Sequence, residues 1–452
     1  MKKNDKIELN IETLTGEGVG IGRVSGLTVF VQGTAVGDKV LAHVIKVKKN
    51  YAVAKLLEVL SPSDDRIELD CAAFKSCGGC AFRHISYEKE LSVKQKAVED
   101  AMRRIGGVDK LPLEIIPSPE IFGYRNKAQY PVTANGGKLS YGFFARHSHR
   151  VICHDDCKLQ PQIFEEIMKT VCLWAEKNGI TAYDEKSHTG LLRHVIIRRA
   201  EQTGEIMVVP VINGDNLPQS EELICDLKSL IPNNFSCLSV NINKEDTNVI
   251  LGEETKTLYG KGYITDIICG VKLNISPTAF YQVNRSAAEI LYKKASEFIS
   301  DDDKVILDLY CGIGSIGLSV LNLCGKDKKL YGVEINPFAI ENAKENAKIS
   351  GLSDAEFFAA DATKAAKMLE SKNISPDLII LDPPRKGCDA ELMNTVANGF
   401  KPKKIVYISC DPATLARDTK LLNELGYNLI SYRPVDLFPR TGHVECLSAF
   451  SR

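Results

Sequence analysis

The sequence of 452 residues lacks any apolar run near the roughly 18 residues that a membrane-spanning helix needs. The chain begins with Met1-Lys2-Lys3-Asn4-Asp5, and the apolar core of a secretory signal does not follow. It also lacks internal repeats and low-complexity segments. These absences predict a soluble, cytoplasmic protein without a membrane partner, in which the fourteen cysteines are mostly reduced thiols rather than a disulfide framework.

The sequence also lacks a strong net charge, because 57 Lys and Arg residues are balanced by 58 Asp and Glu residues. The charge is unevenly distributed, however: residues 121–154 carry five cations, no carboxylate and six aromatic residues. The aromatic residues are Phe122, Tyr124, Tyr130, Tyr141, Phe143 and Phe144. This mixture suits a surface that binds phosphates and stacks unpaired bases, although a strand meander with a solvated basic face would read the same way.

The chain is longer than one usual domain, and its patterning changes twice. Residues 1–60 alternate β-branched runs with glycine turns, which predicts a small antiparallel β-barrel of OB-like type. A linker begins at Ser61, and residues 61–265 form a predicted central α+β domain. Residues 266–452 alternate strands with helices, which predicts an α/β domain with a doubly wound parallel sheet.

The most informative residue of this last domain is Cys410. It follows a strand candidate over 404–408 and precedes a helix that opens at Pro412. A thiol on such a turn lies near the positive end of the helix dipole, which favours the thiolate and predicts a nucleophile. The alternative is a buried core cysteine.

A glycine motif, GxGxxG, follows the first strand of the same domain, at Gly312, Gly314 and Gly317. This motif alone also fits a dinucleotide, because Glu334 ends the next strand. Asp308 before the glycines and the turn that begins Asp382-Pro383 favour S-adenosylmethionine instead, with a simple turn former as the alternative for the second acid.

Five segments together carry a resemblance that covers the C-terminal half, and a sixth lies in the middle of the chain. They are Ser276–Asn284, Asp308–Gly314, Leu381–Arg385, Ser409–Pro412, His443–Cys446 and Gly123–Lys127. This set resembles the RNA uracil-5-methyltransferases, which implies a Rossmann-like class I methyltransferase domain that uses S-adenosylmethionine. The cofactor-binding positions that the resemblance implies are Gln282, Tyr310, Glu334, Asp361 and Asp382. Ser315 stands where some members have asparagine.

The same resemblance implies two catalytic residues. Cys410 would add to carbon 6 of uracil, which turns carbon 5 into a nucleophile for the methyl group. Glu445 would then remove the proton from carbon 5 as general base, the alternative being a strand-edge carboxylate. His443 is a candidate to orient this base.

A second site is predicted from the spacing C-x5-C-x2-C. The candidate ligands are Cys71, Cys77, Cys80 and Cys157, with Cys153 as a rival for the fourth position. Four thiolates hold either zinc or a 4Fe-4S cluster. Three clustered ligands and a distant fourth resemble the iron-sulfur members of the family, so a structural 4Fe-4S cluster is the preferred interpretation, ahead of zinc and of unligated thiols.

The glycine-rich segment Gly16–Arg23 resembles the TRAM domain, a small RNA-binding barrel. Lys46, Lys48, Lys49 and Tyr51 would contact RNA there, unless the barrel is only a folding module. Family members with both the barrel and the iron-sulfur site imply 23S ribosomal RNA as the target. The alternatives are a transfer-RNA methyltransferase, a non-catalytic RNA-binding assembly factor and a nicotinamide-dependent oxidoreductase; the sequence implies no protein partner.

Overall fold

The computed structural model describes residues 1–325 and 327–452. The first part is a six-stranded barrel sheet with the strand order β1-β5-β6-β4-β3-β2. Its strands are β1 (Lys6–Asn10), β2 (Thr13–Leu14), β3 (Val19–Val24), β4 (Leu27–Gln32), β5 (Lys39–Val47) and β6 (Tyr51–Ser61). The small barrel was predicted, but it is not wholly antiparallel, because β4 and β6 run parallel. Glycines let the strands curl tightly: a Cβ on Gly22 would lie 2.2 Å from the Asn10 carbonyl oxygen.

Helix α1 (Tyr87–Arg104) follows, with Ser86 as its N-cap. Its apolar face and the segment after it pack on the C-terminal domain, where Val98, Met102 and Ile115 join the same core cluster as Leu415. The prediction placed α1 in the central domain. An amphipathic helix shows that it has a partner but not which partner, so the sequence could not assign it. The boundaries at 60 and 265 stay predictions.

The central part is a seven-stranded mixed sheet with two helices. In chain order the elements are β7 (Lys127–Asn135), β8 (Lys138–Phe144), β9 (Val151–Cys153), α2 (Gln162–Lys177), β10 (Leu192–Arg199), β11 (Ile206–Ile212), α3 (Ser220–Leu230), β12 (Phe235–Ile242) and β13 (Glu254–Gly260). The sheet order is β13-β12-β11-β10-β7-β8-β9. A core between the sheet and the helices contains Trp174, Phe164 and Val195.

This core corrects the prediction of a stacking surface over 121–154. Tyr124, Tyr130 and Tyr141 are buried, and the last two belong to the central core. Only Phe122 of the six aromatic residues is half exposed, at 50%. Strand alternation turned the tyrosines inward, so most of the rings are not available to stack on bases.

The hairpin β14 (Ile264–Ile268) and β15 (Val271–Ile275) and helix α4 (Arg285–Ser296) lead into the C-terminal domain. Its elements are β16 (Val305–Leu309), α5 (Ser315–Cys324), β17 (Lys329–Glu334), α6 (Pro337–Ile349), β18 (Ala355–Ala359), α7 (Ala362–Ser371), β19 (Leu378–Leu381), α8 (Ala390–Asn394), a π-helical turn (Thr395–Phe400), β20 (Lys404–Ser409), α9 (Pro412–Glu424), β21 (Asn428–Val435) and β22 (Glu445–Ser451).

The C-terminal sheet has the order β18-β17-β16-β19-β20-β22-β21. Its first five strands are parallel, as predicted, and β22 is antiparallel to both neighbours. The strand order reverses between β16 and β19, and such a switch point opens a crevice at the carboxyl ends of the strands. In the described part of the chain, no helix is long and apolar enough to cross a membrane.

Candidate active site

Cys410 lies between β20 and α9, as the sequence predicted for a strand-to-helix turn. The turn is fixed on both sides. The Asp411 side chain accepts a hydrogen bond from the Thr414 amide at 2.8 Å and so caps the helix. The Ser409 hydroxyl bonds the backbone of Asp411 in the same turn. The half-buried thiol therefore occupies a defined position.

Glu445 stands beside Cys410 on the neighbouring strand. Strands β20 and β22 are antiparallel, and Ser409 pairs with Cys446. The next step of this register sets residue 410 opposite residue 445, and such neighbours have Cβ atoms about 5 Å apart. Glu445 is 3% exposed, and its Oε2 has no hydrogen-bond partner among the described residues. A buried, unpartnered carboxylate oxygen next to the thiol suits proton transfer.

The electrostatics at Cys410 differ from the sequence prediction. Burial, followed by the negative charges of Glu445 and Asp382, raises the pKa of the Cys410 thiol to about 11, and Arg385 opposes this shift only in part. The prediction that the helix N-terminus favours the thiolate is therefore wrong for the free protein. A partial helix charge is outweighed by desolvation and two carboxylates.

The pKa values of the two carboxyl groups, Asp382 and Glu445, are raised as well. Burial raises the pKa of Asp382, and burial together with the nearby Asp382 raises the pKa of Glu445. Arg385 partly offsets the rise at Glu445. A carboxylate whose pKa lies above its usual range is a better proton acceptor at neutral pH than an ordinary glutamate.

His443, the candidate for orienting the base, is exposed and lies against Arg385 instead, with Nε2 at 3.4 Å from the guanidinium Nη2. Arg385 belongs to the turn after β19, which is tied to α9 because the Thr414 hydroxyl donates to the Arg385 carbonyl at 2.9 Å. Asp382 and Arg385 thus sit at a fixed place next to Cys410.

The five predicted cofactor residues come from neighbouring parts of the C-terminal domain. Tyr310 follows β16, with a left-handed φ of 70°; Glu334 ends β17; Asp361 caps α7; Asp382 follows β19; and buried Gln282 precedes α4. Four of them lie at the carboxyl ends of parallel strands, on both sides of the switch point, where such sheets bind ligands.

The backbone around this crevice fits a cofactor. Gly314 adopts a left-handed φ of 81°, and a Cβ on Gly317 would lie 2.7 Å from Asp308 Oδ2. The Gly317 amide donates to that oxygen at 2.9 Å, whereas Asp308 Oδ1 is buried without a partner among the described residues. Burial and Asp382 raise the pKa of Asp308 to about 8. The glycines and carboxylates could hold a cationic ligand that carries ribose hydroxyls.

Cys410 also lines a groove of about 780 Å³. All three parts of the chain line it. Among the lining residues are Glu17 and Phe30 of the barrel, Cys80 and Arg146 of the central part, and Arg385, Cys410 and His443 of the C-terminal domain. The convergence of these positions could not be predicted from the sequence, because it arises only through the packing of the three parts.

The predicted cysteine ligands also come together. Cys71, Cys77, Cys80 and Cys157 line one cavity of about 80 Å³, whereas Cys153, the rival, is exposed on β9. Burial raises the pKa of Cys80 to about 12, and Cys157 and Cys77 add to the rise. His154 lines the cavity too, with Nε2 3.6 Å from Cys71 Sγ, and the sequence analysis missed it. No three His, Cys, Asp or Glu side chains in the described ranges converge tightly enough to hold a single metal ion.

Comparisons with known proteins agree with this architecture. The family model described as tRNA (Uracil-5-)-methyltransferase matches residues 253–452, and the TRAM domain model matches residues 2–57. An uncharacterized RNA methyltransferase of Clostridium tetani is 42% identical, with 99% of this chain and 96% of the relative covered. Another, from Halalkalibacterium halodurans, is 41% identical over 99% of this chain and 97% of the relative.

A solved structure matches over nearly the whole length. It is the crystal structure of Pyrococcus abyssi tRNA (uracil-54, C5)-methyltransferase in complex with S-adenosyl-L-homocysteine. Its TM-score is 0.79, with 28% identity and coverage of 98% of this chain and 99% of that chain. The predicted barrel, methyltransferase domain and S-adenosylmethionine dependence are thereby confirmed, and the chain belongs to the RNA uracil-5-methyltransferase family, with an N-terminal TRAM domain.

Proposed function

We propose that this protein transfers a methyl group to carbon 5 of a uridine in RNA through a transient covalent bond between Cys410 and the base. The observation that carries this proposal is the pairing of a half-buried thiol with a buried, unpartnered carboxylate, Glu445, at the end of an open groove. This pairing also disfavours a non-catalytic assembly factor.

The residues divide the work between two steps. The Cys410 thiol loses its proton to solvent, the thiolate sulfur bonds to carbon 6 of uracil, and the electron pair of the ring double bond makes carbon 5 nucleophilic. S-adenosylmethionine supplies the electrophilic methyl group when it is bound. Glu445 then accepts the proton of carbon 5, the ring double bond re-forms, and the carbon–sulfur bond breaks, which returns the thiolate. The target uridine has to leave its stack for its ring to reach Cys410.

For the cofactor, the proposed residues are Gln282, Tyr310, Glu334, Asp361 and Asp382, of which the last four lie at strand ends on the two sides of the switch point. With S-adenosylmethionine bound, carboxylates at the strand ends would accept hydrogen bonds from the ribose hydroxyls and would favour the positive charge of the sulfonium. Gly317 lets helix α5 pack closely against Asp308.

The proposed RNA is 23S ribosomal RNA, with transfer RNA as the second candidate. The combination of barrel and cysteine site in one chain favours ribosomal RNA, because family members with both features imply that target. The Pyrococcus abyssi protein, called a tRNA methyltransferase, covers 98% of this chain, so the shared architecture favours neither RNA by itself.

For the cysteine cavity we propose a structural 4Fe-4S cluster on Cys71, Cys77, Cys80 and Cys157. The four thiols line one cavity of about 80 Å³, and three clustered ligands with a distant fourth resemble the iron-sulfur members of the family. A cluster spreads its ligands over four iron atoms. Cys77→Ser should bleach a brown protein and lower its soluble yield, whereas zinc in a colourless, anaerobically prepared wild type would contradict the cluster.

The function is tested with labelled S-adenosylmethionine and undermodified ribosomal and transfer RNA in separate reactions, followed by mapping of the labelled nucleotide. We expect 5-methyluridine at one position or a few positions of 23S ribosomal RNA; label in transfer RNA alone would establish the second candidate. Cys410→Ala should abolish transfer while RNA affinity is kept, because other surfaces bind the RNA. Cys225→Ala, which alters an exposed cysteine of the central part, is the matched control.

A further inference from the structure

The loop between β21 and β22, residues 436–444, carries the chain to Glu445 and is here called the catalytic loop. It is held from within by Thr441, whose amide and hydroxyl both donate to the Phe438 carbonyl, at 3.1 and 2.8 Å. His443 donates its amide to the Thr441 hydroxyl at 3.3 Å. Because the loop is tightly bonded, a displacement at one end is transmitted to Glu445 at the other.

Arg440 is the point where this loop meets the rest of the molecule. Its carbonyl accepts the amides of Ala81 at 2.8 Å and Phe82 at 3.1 Å, the two residues that follow Cys80. The two residues that directly follow the segment 71–80, here called the cysteine loop, are therefore bonded to the backbone five residues before Glu445. Arg440 has a left-handed φ of 68°, which a non-glycine residue keeps only where its surroundings enforce it.

The Arg440 side chain adds a third element, helix α1. It is 5% exposed, and its Nη1 donates to the Ile85 carbonyl at 2.9 Å and lies 3.5 Å from Glu90 Oε2. The Arg440 amide donates to Glu90 Oε1 at 2.6 Å. One glutamate of α1 thus holds both the backbone and the guanidinium of Arg440.

Lys94 completes a buried, charge-balanced group of four. Its Nζ donates to Glu90 and to Asp436, each at 2.7 Å, and to the Phe438 carbonyl at 3.0 Å. The side chains of Lys94, Glu90 and Asp436 are at most 1% exposed. Two cations and two carboxylates sealed from water leave a buried charge uncompensated when one member is removed.

We propose that Arg440 is a positioning residue, which locks the catalytic loop to the cysteine loop and to α1 and thereby aims Glu445 at the proton of carbon 5. The proposal rests on the proposed function. Arg440 touches neither Cys410 nor the cofactor residues in the described contacts, so its role concerns the second step, release of the methylated base. The integrity of the cysteine loop then governs that same step.

The test separates release from methyl transfer. In Arg440→Gln, which removes the charge, a displaced base should slow release by about 10- to 100-fold, because small misplacements of catalytic groups have effects of this size. We expect a denaturant-resistant, methylated protein–RNA adduct to accumulate, with the KM for RNA and the rate of methyl transfer in a single turnover little changed. Arg440→Lys, which restores the charge at the same left-handed position, should accumulate less adduct.

Arg193→Gln is the matched control, since Arg193 is 6% exposed and its guanidinium donates to three backbone carbonyls, but in the central part. Hydrogen exchange should quicken in residues 77–86 and 436–444 of Arg440→Gln and stay unchanged in 315–324. If that variant fails to fold, Tyr87→Phe should show the same changes on a smaller scale, because it removes the 2.8 Å bond to Asp436 together with the 2.9 Å bond that the hydroxyl accepts from the Ser118 amide.

Glu445→Gln distinguishes a failure of the role proposed for Arg440 from a failure of the proposed function. If it forms the adduct and the Arg440 variants do not, or if they lose methyl transfer and RNA binding equally, the role of Arg440 is overturned. If Glu445→Gln also fails to form an adduct although wild type methylates RNA, the proposed function fails with it.

Discussion

At the residue scale, the position of Cys410 before a helix predicts a lowered thiol pKa, whereas its environment in the folded protein raises that pKa. The residue and its turn could be predicted, because a strand pattern, a cysteine and a helix-opening proline follow each other in the sequence. The sign of the pKa shift could not be predicted, because it depends first on burial and then on Glu445 and Asp382, which are distant in sequence and come close only in the folded protein.

This environment gives a pH prediction. Because the pKa of Cys410 is raised to about 11, the reactive thiolate is the minor form at neutral pH, and its population rises about tenfold per pH unit below that value. Alkylation of Cys410 by iodoacetamide, followed by peptide mass spectrometry, should therefore quicken steadily from pH 7 to pH 10. In Glu445→Gln the midpoint should fall, since one like charge is removed. A rate that is already level at pH 7 would contradict the assignment.

At the scale of elements, the C-terminal domain was largely predictable and the central part was not. Parallel strands with single helices between them give a sequence pattern that fixes the layer order, and the glycines at 312, 314 and 317 mark the first turn. In the central sheet, by contrast, strands such as β10 and β11 are buried on both faces. Such strands lose the alternation that tells inward from outward residues. Tyr130 and Tyr141 lie on β7 and β8, and the basic and aromatic composition of residues 121–154 does not show which face of each strand packs on the central core.

Gly317→Ala tests the element that shapes the cofactor crevice. The new Cβ would lie 2.7 Å from Asp308 Oδ2 and 3.0 Å from the Leu330 side chain, so strand β16 and helix α5 must separate. We expect the affinity for S-adenosylmethionine, measured by calorimetry, to fall at least about tenfold, which corresponds to about 1.4 kcal/mol. RNA affinity should be retained; an unchanged cofactor affinity would argue against this crevice.

At the scale of the whole molecule, the function depends on how three parts meet. The barrel touches the catalytic loop directly, since a Cβ on Gly442 would lie 2.9 Å from the Glu17 Cα. Both the barrel and the cysteine loop line the groove that ends at Cys410. No local pattern encodes such contacts, so the sequence predicted the parts and several of their residues but not the groove between them.

The contribution of the barrel to RNA binding can be measured from the salt dependence of the RNA affinity. Lys46, Lys48 and Lys49 are exposed at the end of β5, near Tyr51, whose ring packs edge-on to Phe30 in the groove at 5.7 Å. Replacing the three lysines with alanine should weaken RNA binding and reduce the slope of log affinity against log salt by about 2, at about 0.7 per phosphate contact on single strands. The double change Lys244→Ala and Lys256→Ala, in the central part, should leave the slope unchanged; an unchanged slope in the triple variant would identify the barrel as a folding module.

The covalent bond at Cys410 is tested most directly in Glu445→Gln, where methyl transfer can proceed and removal of the carbon 5 proton cannot. The variant is incubated with substrate RNA and labelled S-adenosylmethionine, denatured, digested, and mapped by mass spectrometry. The account predicts a methylated uridine nucleotide attached to Cys410. A nucleotide on another residue, or labelled RNA released without any protein adduct, would contradict it.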